Sequence, residues 1–165
     1  MRLRPATIID LPDIMHIISC AVERMLAEGK CQWDHTYPTA THIITDIHAD
    51  AAYVLENDSK VIAYGAVLFT GEPAYSAIDG LWLSDAPYVV IHRLAVAPEM
   101  QGNGIAAKFI KSVEHLAASK GFSSFKIDTN FDNHRMLRTL EKCGFCHCGE
   151  IHYPQGSRLA FEKLI

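Results

Sequence analysis

The stretch from Tyr88 to Gly121, YVVIHRLAVAPEMQGNGIAAKFIKSVEHLAASKG, restricts the possible folds more than any other part of the chain. Tyr88 to Val96 is apolar on both faces except for His92 and Arg93, the pattern of a strand covered on both sides in the middle of a sheet. Ala97-Pro98 ends it, and Gln101 to Ala106 leads into a helix. Ile105, Phe109, Ile110, Val113, Leu116 and Ala117 give that helix one apolar face, and Gly121 stops it. A strand, a glycine-containing loop and a helix start together form an anion cradle. The first-turn N–H groups have no partner inside the helix, the dipole favours negative charge there, and glycine lets the backbone come close to the ligand oxygens. The spacing is not that of a Walker loop, because G-x-x-x-x-G-K-[ST] is absent. Nor is it the dinucleotide fingerprint, because Gly102-x-Gly104 is followed by Ala107 where that pattern needs glycine.

Other bounds come from composition. At 165 residues, with 49% hydrophobic residues, the chain has the size and apolar content of one folded domain, residues 1–165. A net charge of −4 without a Lys/Arg run argues against a nucleic-acid surface. No apolar stretch approaches membrane-spanning length. Asp10, Pro12 and Asp13 interrupt any signal-peptide core, and the odd set Cys20, Cys31, Cys143, Cys146 and Cys148 reads as reduced thiols. The expected location is cytoplasmic.

The remaining elements follow from periodicity and turn chemistry. Arg2 to Thr7 reads as a first strand and Asp10 as the cap of a first helix whose stripe runs from Ile14 to Leu26. Thr41 to His48 reads as a second helix, and Ala52–Glu56 with Val61–Thr70 as a hairpin around Asn57-Asp58-Ser59. Gly71 to Pro87 is a long loop, Ser124 to Thr129 a strand, and Asp132 the expected cap of a last helix ending at Gly144. Cys146–Ile151 and Arg158–Leu164 form a terminal pair. A strand–helix–strand unit of this length implies parallel neighbours joined by a right-handed crossover.

One family fits these features. Gln101-x-x-Gly104-x-Ala106 resembles the Q/R-x-x-G-x-G/A signature of the GNAT superfamily of acetyl-CoA-dependent N-acetyltransferases. Leu94-Ala95-Val96-Ala97-Pro98 is similar to the L-A-V-x-P that ends that family's fourth strand. Asn133 with Glu141-Lys142-Cys143-Gly144-Phe145 resembles its N-x-x-A-x-x-L-Y-E-K-x-G-F segment. The resemblance implies an α/β fold (α+β mixed), a single domain with a central mixed seven-stranded sheet and helices on both faces. The fourth and fifth strands of that fold splay apart around the pantetheine arm. It also implies acetyl transfer from acetyl-CoA to an amine by direct attack. Backbone N–H groups of Gln101, Gly102, Asn103, Gly104, Ile105 and Ala106 would bind the pyrophosphate. Leu94, Ala95 and Val96 would offer backbone groups to the pantetheine, with an N–H at or next to Leu94 polarising the thioester carbonyl, and Asn133 would bond the same arm.

Each candidate residue also has a plain structural reading. His92 interrupts an apolar strand; it is either a satisfied core histidine or the general base that takes a proton from the acceptor ammonium, and imidazole suits that task. Trp33, Asp34, His35 and Tyr37 form an aromatic and acidic loop that suits a cationic amine or is held by one anchoring Trp. Tyr75, Asp79 and Trp82 are acceptor contacts or loop anchors on the same footing. Leu140 stands where many members of the family carry the tyrosine that protonates the leaving thiolate. Water, Cys143 or Tyr153 would then supply that proton. Cys143, Cys146, Cys148 and His152 have the composition of a zinc cluster, but a second compact pair with zinc spacing is missing; the plain reading is small buried hydrophobes, and no metal is expected. The expected partners are acetyl-CoA and an amine, with no nucleic acid and no membrane, and a homodimer is left open. A non-catalytic acyl-CoA sensor and a protein or peptide N-acetyltransferase are the alternatives.

Overall fold

The computed structural model describes residues 1–165. The chain has four α-helices and eight strands, and the strands belong to one mixed sheet. The sheet therefore has one strand more than the seven expected. Two compact units divide the residues: Met1–Val67 with Arg93–Phe109, and Leu68–His92 with Ile110–Ile165.

In the first unit, β1 (Arg2–Pro5) pairs antiparallel with β2 (Ala52–Asn57), which pairs with β3 (Lys60–Leu68). The β2–β3 turn is Asp58-Ser59, both at positive φ (48° and 62°), the geometry of the tight hairpin turn that matches strand twist. α1 (Leu11–Ala27) and α2 (Ala40–His48) lay Ile14, Ile17, Ile18, Val22 and Ile43 into a core that also holds Trp33, Val54, Tyr64, Ala95 and Ala97. Each buried Ile or Leu side chain contributes about 1.5–3 kcal/mol. Asp10 does not cap α1 with its side chain. It turns back to the Thr7 N–H (2.8 Å) in a capping box over a short 3-10 turn, and the Arg4 guanidinium forks onto it at 2.8 and 2.9 Å.

In the second unit, the start of β5 (Tyr88–Val96) lies parallel to β6 (Ser124–Thr129), β6 is antiparallel to β8 (Gly156–Leu164), and β8 is antiparallel to β7 (Cys146–Tyr153). α4 (His134–Lys142) buries Leu140 completely. Its cap is Asn133, whose Oδ1 accepts the Met136 N–H, rather than Asp132. The extra strand is β4 (Asp79–Gly80), paired to Glu150 and Gly149 of β7. Gly80 and Gly149 face each other so closely that a Cβ on either would run into the opposite backbone, at φ 147° for both. Two residues inside a loop carry no strand periodicity, and the glycine that admits them lies far along the chain, so this pairing left no local signal.

β5 and α3 (Ile105–Ser119) each contribute residues to both units. In α3 the expected stripe is present: Ile105, Phe109, Ile110, Val113 and Ala117 are buried, and Leu116 is half-buried.

Candidate active site

The loop before α3 has the form the sequence suggests. Gly102 and Gly104 take φ of 78° and 71°, and a Cβ built on either meets nothing within 4 Å. The left-handed backbone, not crowding by the protein, is what requires glycine at these two positions. Lys108 donates to the Gly104 carbonyl at 3.0 Å, so the Ile105 and Ala106 N–H groups precede that bond and belong to the first turn, which has no carbonyl within the helix to accept them. Gln101 differs: its N–H donates to the Pro98 carbonyl at 3.4 Å. The donor set is neutral and peptidic, aimed by a helix dipole, which suits a phosphate group.

β5 pairs with β6 only from Tyr88↔Ser124 to Val90↔Lys126, although β5 continues to Val96 and β6 to Thr129. Within the half that lacks β6 pairing lies Arg93 at φ 56°, the one residue other than glycine inside a strand to take the left-handed region. Such a conformation costs about 1–3 kcal/mol and persists only when its surroundings hold it. Here Arg93 Nε and Nη2 donate to the two oxygens of Asp46 at 2.9 and 2.5 Å, and Nη1 donates to the Tyr37 hydroxyl at 3.0 Å. Tyr64 donates its hydroxyl to the same Asp46. Both charged side chains are largely buried, at 15% and 8% exposure. Asp46 and Arg93 as a pair escaped sequence reasoning, since α2 and β5 meet only in the folded chain.

His92 belongs to the second unit. Its Nε2 lies 2.9 Å from Glu72 Oε2, with side-chain exposures of 18% and 23%. The edge of its ring meets Tyr75, centroids 6.4 Å apart. Tyr75 is buried, and its hydroxyl donates to Asp128 Oδ2 at 2.8 Å; Tyr153 donates to the same oxygen at 2.9 Å. Burial, reinforced by the Asp128 charge, pushes both phenols well above their ordinary range. Glu72 and Asp128 were not singled out in the sequence. Asp128 had a weak signal, as a polar residue alternating in a buried strand; Glu72 had none, because its partner is 20 residues away.

The Gly71–Pro87 loop is fastened at many points. Trp82 Nε1 donates to the Tyr75 carbonyl at 2.9 Å. The Lys126 ammonium sits over the Trp82 and Tyr88 rings at 4.5 and 4.2 Å. Buried Glu162 accepts from the Leu83 N–H at 2.5 Å and from the Ser84 hydroxyl at 2.9 Å. Tyr75 and Trp82 thus hold the loop down, and Asp79 is exposed at its tip in β4. In the 31–38 loop, Trp33 is packed in the core, Tyr37 is tied to Arg93, and Asp34 is exposed and bonded to Thr36. His35 is an exposed residue 3.7 Å from Glu23.

The sequence matches the model of the acetyltransferase (GNAT) family over residues 12–145. This chain belongs to the GNAT family. A GNAT-family acetyltransferase from Streptococcus agalactiae is 32% identical over 99% of this chain and 95% of its own, with a TM-score of 0.90. Two more distant structures share the fold. A ribosomal-protein-alanine N-acetyltransferase from Brucella melitensis is 18% identical over the whole of both chains, with a TM-score of 0.68. AAC(6')-Ib, solved with ribostamycin and coenzyme A, is 21% identical over 98% of this chain and 92% of its own, with a TM-score of 0.72. None of the curated proteins matches the sequence.

Several residues in the segments shared with the GNAT family have local tasks here. The Asn133 side chain caps α4 and its Nδ2 donates to Thr129 Oγ1 at 3.3 Å. Cys143 is buried at the end of α4, and burial pushes its thiol up. Leu140, in the tyrosine position, is buried. Cys146 is exposed and Cys148 bonds to the Cys146 carbonyl. No group of three or more His, Cys, Asp or Glu is arranged to hold a metal ion. No helix is long and apolar enough to cross a membrane.

Proposed function

We propose that this GNAT-family chain transfers the acetyl group of acetyl-CoA to the amine of a small-molecule acceptor, by direct attack and without an acetyl-enzyme. One observation carries this reading. The Gly102–Gly104 loop is free of crowding, with the open first turn of a 15-residue helix behind it. Backbone N–H groups of Gly102 to Ala106 would hold the pyrophosphate, with Gln101 contributing less because its N–H is already engaged. Leu94, Ala95 and Val96, in the half of β5 without β6 pairing, would offer main-chain groups to the pantetheine amides. Asn133 would bond the same arm through its second Nδ2 hydrogen or its free Oδ1 lone pair, with the capping bond kept.

The enzyme's main contribution is alignment, which can supply about 7–11 kcal/mol of the barrier. The N–H of Leu94 would polarise the thioester carbonyl. His92 would take the proton of the acceptor ammonium, through water. We assign protonation of the departing thiolate to water. Cys143 is shut away, and Tyr153 gives its hydroxyl hydrogen to Asp128. Trp33 and Tyr37 would shape the acceptor side as fixed walls, and exposed His35 would touch only a large acceptor. We also take the chain to be a single cytoplasmic domain.

Release of free thiol from acetyl-CoA, followed across a panel of amines, tests the activity. The expected result is turnover with at least one small amine. His92→Ala should then lower kcat by about 10²–10⁴-fold and leave acetyl-CoA affinity near wild type. Tight acetyl-CoA binding with no turnover on any amine would instead favour an acyl-CoA sensor, the reading that buried Leu140 in the tyrosine position supports.

A further inference from the structure

We infer that Glu72 is the positioning residue of the reaction: it holds His92 as the Nε2–H tautomer, so that Nδ1 is the atom that accepts the acceptor's proton. This rests on the reading of His92 as general base and goes beyond it by assigning the atom and its support.

The geometry is specific. Glu72 Oε2 lies 2.9 Å from His92 Nε2, and a carboxylate can only accept, so the neutral imidazole must carry its hydrogen on Nε2. Glu72 is itself held in place: Oε1 accepts the Ala74 N–H at 3.2 Å and the Glu72 N–H donates to the Tyr88 hydroxyl at 3.4 Å. The Tyr75 ring flanks the imidazole from another side, and it is locked in turn by Asp128 and Trp82. The His92 ring is therefore held by a charge-assisted hydrogen bond and a ring contact. Its remaining polar atom, Nδ1, makes no hydrogen bond within the protein, and the side chain as a whole keeps 18% exposure.

The chemistry balances. The acceptor ammonium gives a proton through water to Nδ1. The freed amine nitrogen forms a bond to the thioester carbon, and the carbon–sulfur bond breaks as the electron pair leaves with coenzyme A. The second proton on that nitrogen passes through water to the thiolate, leaving a neutral amide and free thiol, and the imidazolium returns the first proton to solvent. Glu72 takes no proton in this sequence; it accepts the Nε2–H and fixes the orientation of the imidazolium, as an acidic partner does for a catalytic histidine elsewhere.

Long-range nitrogen–proton spectra of the full chain at a pH where His92 is neutral provide the test. The His92 signals are assigned by their loss in His92→Gln. The wild type should show the Nε2–H tautomer. In Glu72→Ala a substantial Nδ1–H fraction should appear, kcat should fall by about tenfold or more, and KM for acetyl-CoA should hold. Glu72→Gln can still accept the Nε2–H and should restore much of the tautomer and part of kcat. A wild-type Nδ1–H tautomer overturns the inference. So does a Glu72→Ala protein with unchanged tautomer, whatever its kcat. If His92→Gln keeps full kcat, the base reading itself fails; if His92→Gln is inactive while Glu72→Ala matches wild type, only the role of Glu72 fails.

Discussion

Asp10 shows how a single residue can be recruited for a task its position does not advertise. It precedes Pro12 as a helix cap would, yet its carboxylate serves Arg4 and Thr7. The Arg4 hydrogen bonds lower its pKa from 3.8 to about 2. A depressed carboxylate stabilises the fold above its unfolded pKa and loses that contribution as pH falls through the folded value. Asp10→Asn should therefore lower the unfolding free energy measured with urea at pH 5–7, by on the order of 1–2 kcal/mol after solvent screening. The gap between variant and wild type should close as pH falls from about 4 toward 2. A constant gap over that range would mean that Asn fails for a steric reason. At the same scale, Cys143→Ala and Tyr153→Phe should each keep kcat within about twofold if water protonates the thiolate. Their thiol and phenol are pushed up by burial and are poor acids in this setting. A much larger loss in either variant would return that side chain to the proton path.

Two elements carry the coenzyme reading, and each makes its own prediction. At the start of α3 the loop glycines face open space at positive φ. Gly104→Val should weaken acetyl-CoA binding tenfold or more, about 1.4 kcal/mol, in a protein that stays folded. Calorimetry showing unchanged affinity would remove the pyrophosphate from this loop. In β5 the fork of Arg93 on Asp46 holds a left-handed residue inside a strand. Asp46→Ala leaves a buried guanidinium without its counter-charge and should cost about 3–5 kcal/mol of stability. Chemical denaturation measures it directly; a cost under about 1 kcal/mol would mean that Arg93 finds water instead of Asp46.

For the molecule as a whole, the proposal of one domain can be tested with its two tryptophans, Trp33 in the first unit and Trp82 in the second. The division between units falls inside β5 and α3 rather than in a linker. Unfolding monitored in single-tryptophan proteins, Trp33→Phe and Trp82→Phe, should give coincident transitions if the chain folds as one cooperative body. Midpoints that separate would show two independently stable units.

What the sequence by itself determined was everything encoded within about one element's length. The both-faces-apolar strand at Tyr88–Val96, the stripe of α3, the glycine loop between them and the Asp58-Ser59 hairpin are all local patterns, because strand, helix and turn geometries repeat every few residues. These, with the motif at Gln101–Ala106, were enough to point to the family. Tertiary structure decided the remainder. It chose Glu72 for His92, Asp46 for Arg93 and Asp128 for two tyrosines, partners 20, 47, 53 and 25 residues apart. It also joined Gly80 to Gly149 as an eighth strand and turned Tyr75 and Trp82 into loop anchors. A carboxylate in a sequence shows only that it needs a partner; which donor reaches it depends on how the elements pack, and no periodicity of one segment records that.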